Sequence, residues 1–159
     1  MIRVGLISDT HGLLRPEAKD YLRGADRIVH AGDICGAHVI EELSALAPLT
    51  VVRGNNDRGA WAQSLAEVEW LQLELVLIHV LHDLSQIDID PVAAGVHAVV
   101  SGHTHKPLIE RRDNVLLVNP GSAGPRRFAL PISMGELLID RTKVTARIVT
   151  LSPPSTRFA

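Results

Sequence analysis

The chain has 159 residues, 46% of them hydrophobic but only 3% aromatic, and a formal charge of −2 from 16 basic and 18 acidic side chains. That length suits one domain with a sizeable core of Val, Leu, Ile and Ala, and the absence of a basic tract argues against nucleic acid as an electrostatic partner. Cys35 stands alone, which excludes an intrachain disulfide and suits a cytoplasmic protein, and no apolar run approaches the ~18–20 residues of a membrane span.

Ile2 to Ile7 reads as a first strand, apolar with little alternation, as in a strand buried on both faces. Leu13 to Arg23 has helical spacing, with Leu14, Ala18, Tyr21 and Leu22 near one face and Pro16 where a first turn tolerates it. Arg27 to His30 is a strand, Ala37 to Ala47 a helix stopped by Pro48, and Leu49 to Arg53 a third strand. This βαβαβ order calls for a parallel sheet. Val68 to Leu81 reads as two strands or one bent one, and Val96 to Val100 as another strand. Two hairpins follow, one turning at Arg112-Asp113-Asn114 and one joining Ser133–Ile139 to Lys143–Thr150 about Asp140-Arg141-Thr142. A parallel half followed by an antiparallel half predicts two mixed sheets packed face to face, with helices outside. The expectation is a single domain over 1–151 and a loose tail over 152–159.

Five polar clusters, most of them directly after a predicted strand, carry the chemistry: Ser8-Asp9-Thr10-His11, Ala31-Gly32-Asp33, Gly54-Asn55-Asn56-Asp57, His82-Asp83 and Ser101-Gly102-His103-Thr104-His105. In open α/β sheets the carboxyl edge of the strands is where loops converge on ligands. Their carboxylates, imidazoles and carboxamide form a mixed nitrogen and oxygen set, better suited to first-row divalent metals than to calcium or magnesium. Singly, Asp9-Thr10 and Gly32-Asp33 also read as helix caps, and Gly54 to Gly59 as an ordinary turn. Two histidines around one residue, between Gly102 and Pro107, are harder to explain as packing. His79 and His82 compete for one ligand position. His79 lies inside an apolar strand, whereas His82 opens a polar loop and is preferred. His30, His38 and His97 read as satisfied or surface histidines, and Cys35 as a small buried apolar side chain rather than a nucleophile.

The ordered set Asp9-x-His11, Gly32-Asp33, Gly54-Asn55-x-Asp57, His82 and Gly102-His103-x-His105 resembles the calcineurin-like metallophosphoesterase superfamily. The short chain and the run Val118-Asn119-Pro120-Gly121-Ser122 point to its small prokaryotic, YfcE-like phosphodiesterase branch. The resemblance implies an α/β fold, a four-layer αββα sandwich of two mixed β-sheets flanked by helices. It implies two divalent transition-metal ions (Mn, Fe, Zn, Co or Ni, with Mn favoured) and hydrolysis of a small phosphoester by in-line attack of a hydroxide shared between them. Asp33 would bridge the ions, with Asp9, His11 and His105 completing one and Asn55, His82 and His103 the other. Among the residues assigned to catalysis, Asp33, Asn55, His82 and Asp57, the last would hold the Asn55–Asn56 loop. A homo-dimer or homo-tetramer fits family habit. The alternative on this fold is a catalytically weak scaffold, as in the retromer subunit.

Charge agrees: +4 from two ions and −2 from Asp9 and Asp33 leave room for a hydroxide and a net attraction to phosphate. One position departs from the wider superfamily. Asn56 stands where many members carry a histidine that protonates the leaving group, and general acid catalysis contributes typically 10²–10⁴-fold. Activated aryl or nucleotide-type esters should therefore be preferred to alkyl ones. Arg126 or Arg127 would reach a substrate phosphate, although surface arginine is the plainer reading of both.

Overall fold

The computed structural model describes residues 1–152. In chain order the elements are β1 (Ile2–Ile7), α1 (Pro16–Leu22), β2 (Arg27–His30), α2 (Ala37–Ser44), β3 (Leu49–Val51), α3 (Ala60–Gln63), β4 (Val68–Leu73) and β5 (Val76–Leu81). A 3₁₀ turn (Leu84–Gln86), β6 (Ala98–Val100), β7 (Leu108–Arg112), β8 (Val115–Asn119), β9 (Ile132–Asp140) and β10 (Lys143–Ser152) follow. Helix α1 begins three residues later than its apolar pattern. The reason is Pro16 at its first position, which holds Arg15 extended at φ −69° and ψ 144°. Leu14 still packs on the core beneath the helix.

Among the described residues the strands form two five-stranded sheets, ordered β10-β9-β1-β2-β3 and β4-β5-β6-β8-β7. The first is parallel through β1, β2 and β3, with β9 antiparallel to β1 and to β10. The second half of the chain is not the antiparallel half its hairpins suggest. The β4–β5 and β7–β8 hairpins are there, but β5, β6 and β8 run parallel. The hairpins set only the outer pairings; β6 and β8, both buried, pair in parallel edge to edge. The β7–β8 turn is Asp113-Asn114, both at positive φ (53° and 65°), the two-residue turn that matches strand twist.

Between the sheets lies an aliphatic core, with Val4, Leu6, Val29 and Leu137 from the first sheet against Ile78, Val80, Val100 and Val118 from the second. The outer face of the first sheet carries Ile7 and Ile28 beneath Ala18 and Leu22 of α1 and Val39 and Leu43 of α2. The second sheet's outer face, with Leu81, Val99 and Leu117, is covered by Leu84, Ile87 and Ile89, a segment whose regular structure is the 3₁₀ turn. Strand β10 runs one residue past the boundary drawn at 151, and the tail beyond Ser152 lies outside the described residues. No helix of the described residues is long and apolar enough to cross a membrane.

Candidate metal centre

The parallel strands β1, β2, β3, β5, β6 and β8 end at one edge, and the loops leaving them carry every sequence-predicted site residue. The two sheets are tied together there. His82 at the end of β5 donates from Nδ1 to the carbonyl of Ala31 after β2 at 2.7 Å, and the His103 backbone N–H donates to Asp9 Oδ2 at 3.1 Å. Backbone bonds from Asp9 to Gly32, His11 to Asp33 and Gly12 to Ile34 zip the first two loops side by side.

Local geometry is unusual. Asp9, His11, Asp33, His103 and His105 all have φ between 46° and 73°, as does Cys35 at 59°. The members of each pair two residues apart are thus both left-handed, so Asp9-x-His11 and His103-x-His105 converge through a bend rather than along an extended strand. Non-glycine residues in this region cost about 1–3 kcal/mol each and persist where the surroundings over-determine them. Close approach explains two glycines: a Cβ on Gly102 would collide with Ser8 Oγ and stand 2.6 Å from Asp9 Oδ2, and one on Gly54 would collide with the Asp33 carboxylate and backbone nitrogen.

Two donor triads result, Asp9–His11–His105 and Asp9–Asp33–His82, each with its atoms within 4.8 Å of one another. Asp9 is common to both, where the sequence reading gives the shared role to Asp33. Yet Asp33 Oδ2 also reaches both groups, 3.7 Å from His11 Nε2 and 3.4 Å from His82 Nε2. Asn55 Oδ1 lies 2.9 Å from His82 Nε2 and 3.2 Å from His103 Nδ1, which gathers the remaining three predicted ligands.

A divalent cation fits these donors. Asp9 is fully buried; its Oδ2 accepts from Ser8 Oγ (2.7 Å) and the His103 N–H, while Oδ1 has no hydrogen-bond partner. That orphan oxygen faces His105 Nε2 at 3.4 Å, and His105 Nε2 faces His11 Nε2 at 3.4 Å. Lone pairs converging in a buried site are costly until a cation or a proton resolves them. Because Nδ1–H of His82 is spent on Ala31, its Nε2 is the atom left to ligate.

The electrostatics follow from the same contacts. Burial alone would raise the Asp33 carboxyl, but His82 and the Asn56 backbone and side-chain N–H groups, both 2.9 Å away, hold it well below the ordinary carboxylate range. Burial likewise opposes the His105 and Ser8 contacts at Asp9, and the contacts prevail, so that carboxyl is lowered too. His82 is raised, since Asp33, Asp9 and the Ala31 carbonyl outweigh burial. His11 is lowered, mainly by burial.

Asp57 touches none of these donors. Its carboxylate accepts from the backbone N–H of Asp33 (3.0 Å), Gly54 (2.8 Å) and Cys35 (2.8 Å), so it clamps the second cluster onto the third and is a positioning residue. Cys35 is half-buried with Sγ 3.6 Å from His11 Nδ1, and burial with the Asp57 and Asp33 charges pushes its thiol up to about 11.

The spare histidines lie off the centre. His30 accepts from Gly32 N–H and donates to Thr10 Oγ1, and full burial pushes it down to about 4. His38 donates to the Gly12 carbonyl, His97 accepts from Leu77 N–H, and His79 is buried in β5 against Trp70, with ring centroids 4.2 Å apart. Sequence reasoning used Asn119 and Ser122 only as marks of the family branch and gave them no place in the site. Asn119 donates to Gly102 O (2.9 Å) and Thr104 Oγ1 (3.1 Å), and Ser122 Oγ donates to Asp9 O (3.0 Å). The signal available for Asn119 was its place at the carboxyl end of β8, the same edge as the five clusters.

Comparison with known proteins agrees with this geometry. Residues 2–142 match the model of the calcineurin-like phosphoesterase superfamily domain. A probable metallophosphoesterase of Methanothermobacter thermautotrophicus is 34% identical over 165 residues, covering 97% of this chain and 95% of the relative. A phosphodiesterase of Methanocaldococcus jannaschii is 26% identical over 76% of this chain and 83% of its own. Among solved structures, wild-type Vps29 of Entamoeba histolytica, complexed with zinc, superposes with a TM-score of 0.78 at 26% identity, over 94% of this chain and 93% of that one.

Proposed function

Because the chain belongs to the calcineurin-like phosphoesterase superfamily, a metal-dependent family, we propose that it is a dinuclear-metal phosphoesterase acting on phosphodiesters and, secondarily, monoesters. The observation that carries this reading is the pair of donor triads sharing Asp9, with Asp33 Oδ2 in reach of an imidazole from each. In this reading Asp9, His11 and His105 would hold one ion and Asn55, His82 and His103 the other, with Asp33 serving both. Manganese is the ion we favour. The working unit is the single domain 1–151, in the cytoplasm, as a dimer or tetramer.

Bound there, divalent cations supply Lewis acidity toward phosphoryl oxygen and bring the pKa of water to about 7 in favourable sites. Everything else falls to the chain. Asp57 fixes the Asp33 and Gly54 loops through three backbone bonds. Ser8 and the His103 N–H hold Asp9 Oδ2 so that Oδ1 points inward. Asn56 donates its amide N–H to Asp33 Oδ2 and has no titrating proton to give a leaving group. Leaving groups must therefore depart unassisted at that position, which favours aryl over alkyl esters.

The test is hydrolysis of bis(4-nitrophenyl) phosphate with and without Mn²⁺. The wild type should turn over only with metal, and Asp33→Ala should lose about 10³-fold, the several kcal/mol a Lewis-acid contribution amounts to. The likeness to Vps29 favours one second reading, a scaffold on the same fold. A chain that binds Mn²⁺ yet hydrolyses neither diesters nor monoesters would be that scaffold.

A further inference from the structure

Two cavities open on either side of His103. One, about 470 Å³, is lined by Arg53, Glu67, Asp83 and Asp88 beside His82. Its single arginine is tied to Glu67 at 2.9 Å, which leaves Asp83 and Asp88 to set an anionic character. The other, about 580 Å³, is bounded by His103 and His105 on the metal-centre side and by the loop Arg127 to Pro131 on the far side. Among the described residues its lining carries Lys106 and Arg127 and no carboxylate. An anionic substrate arm is repelled by the first cavity and drawn to the second.

The far wall is built around one arginine. Arg126 donates to Leu130 O at 2.8 Å and to Ser152 Oγ at 2.6 Å, which closes the loop on itself and on β10. Its neighbours are thereby turned outward. Phe128 has φ 53° and is 77% exposed, so an aromatic ring is held in water on a left-handed backbone. Both conditions are unfavourable for the free chain and are understandable where a ring face waits for a partner.

We propose that this wall selects the substrate: Phe128 stacks on a flat aromatic ring carried by the phosphoester, and Arg127, with Lys106 beside it, pairs with an anionic group on that ring-bearing arm. The proposal rests on the phosphoesterase reading above and adds the substrate class to it. A simple aryl group and a nucleobase share this chemistry. Phe128 and Arg127 are specificity residues in this account, and they take no part in bond breaking.

The experiment uses inert competitors against bis(4-nitrophenyl) phosphate hydrolysis by the full chain with Mn²⁺. Phenylphosphonate should compete about tenfold more tightly than methylphosphonate, the size of one base–aromatic stack. That ratio should fall toward one in Phe128→Ala and return in Phe128→Trp. A 4-carboxyl group on the phenyl ring should add about two- to fivefold, lost in Arg127→Gln. Adenosine 5′-phosphorothioate against ribose 5-phosphorothioate forms the parallel pair: a larger Phe128→Ala effect there identifies a nucleobase, and a larger one in the phosphonate pair identifies an aryl group. Unchanged ratios in Phe128→Ala for both pairs, in a variant with wild-type thermal midpoint, overturn the proposal. If methylphosphonate does not compete and no phosphoester is hydrolysed, the phosphoesterase reading itself has failed and this one falls with it.

Discussion

The space between the sheets and the edge where their parallel strands end both bury many side chains but obey different rules. Between the sheets, Val4, Leu6, Val29, Ile78, Val80 and Val100 are all at zero exposure and belong to one hydrocarbon cluster. At the edge, Asp9, Thr10, His30, Asp33, His82, His105 and Asn119 are also nearly or wholly buried, and most of their polar atoms have a named partner. Hydrocarbon contacts are non-directional and reward area, so the interior tolerates changes of identity that keep volume. The edge is directional. Asp9, Asp33 and His105 sit on left-handed backbone, and an atom displaced by an ångström is out of place for chemistry. Stability and function are therefore written in different parts of the chain, and substitutions should separate them.

The largest expected effect falls on the interior. Ile78→Ala should cost about 2–5 kcal/mol of folding stability by denaturant titration, with turnover per folded molecule unchanged at temperatures where the variant is folded. A proportionate loss of turnover would show that the two regions are not separable. Next comes Gly102→Ala, which adds one methyl group where Ser8 Oγ and Asp9 Oδ2 already stand. On the proposed phosphoesterase reading, activity should fall about 10²-fold, while the aliphatic core keeps its cooperative thermal transition.

Asn119→Ala removes the brace beneath the Gly102–His105 loop and no ligand. The Mn²⁺ concentration for half-maximal activity should rise about 10–100-fold, the usual cost of a lost supporting bond at a metal site. A rise in the substrate KM alone would place Asn119 elsewhere in the mechanism.

The smallest effect tests a polar contact remote from the edge. Glu136 is buried and bonds Arg3 Nε at 2.6 Å and Arg147 at 2.9 Å. Burial would raise its carboxyl, but Arg3 first, then Tyr21 and Arg147, hold it below the ordinary value. A lowered folded pKa means stability that is present above the unfolded value, near 4.3, and lost as pH falls through the folded one. Glu136→Gln should therefore be less stable by about 1–3 kcal/mol at pH 7, and the difference should shrink as pH falls below the unfolded value and through the lowered folded one. A gap independent of pH would mean that shape rather than charge holds Arg3.

The legible parts of this protein are those where local chemistry and tertiary structure agree. The strands Ile2–Ile7 and Arg27–His30 coincide with β1 and β2 because a short apolar run between polar loops has one use in an α/β fold. The preference for His82 over His79 agrees with the structure's placing only His82 beside Asp33; an imidazole at a strand's end reaches the loops, and one inside it packs, as His79 does on Trp70. What stayed hidden was nonlocal. The parallel pairing of β6 with β8, with the β7 hairpin between them in sequence, leaves no local signature. Neither does the division of labour between neighbours as alike as Arg126, spent on Leu130 and Ser152, and Arg127, which lines a cavity.

Sequence alone gave the inventory: a small aliphatic α/β chain, five polar clusters at strand ends with their carboxylates, imidazoles and carboxamides, and Asn56 where many superfamily members carry a histidine. Residue type, spacing and turn chemistry are local properties, and they survive in the linear chain. Tertiary structure decided distances and directions. It brought Asp9 Oδ1 opposite His105, gave Asp57 three backbone donors, and set two cavities of differing charge on either side of His103. Such facts depend on where two sheets meet, and packing fixes that meeting through contacts between residues on average far apart in the chain.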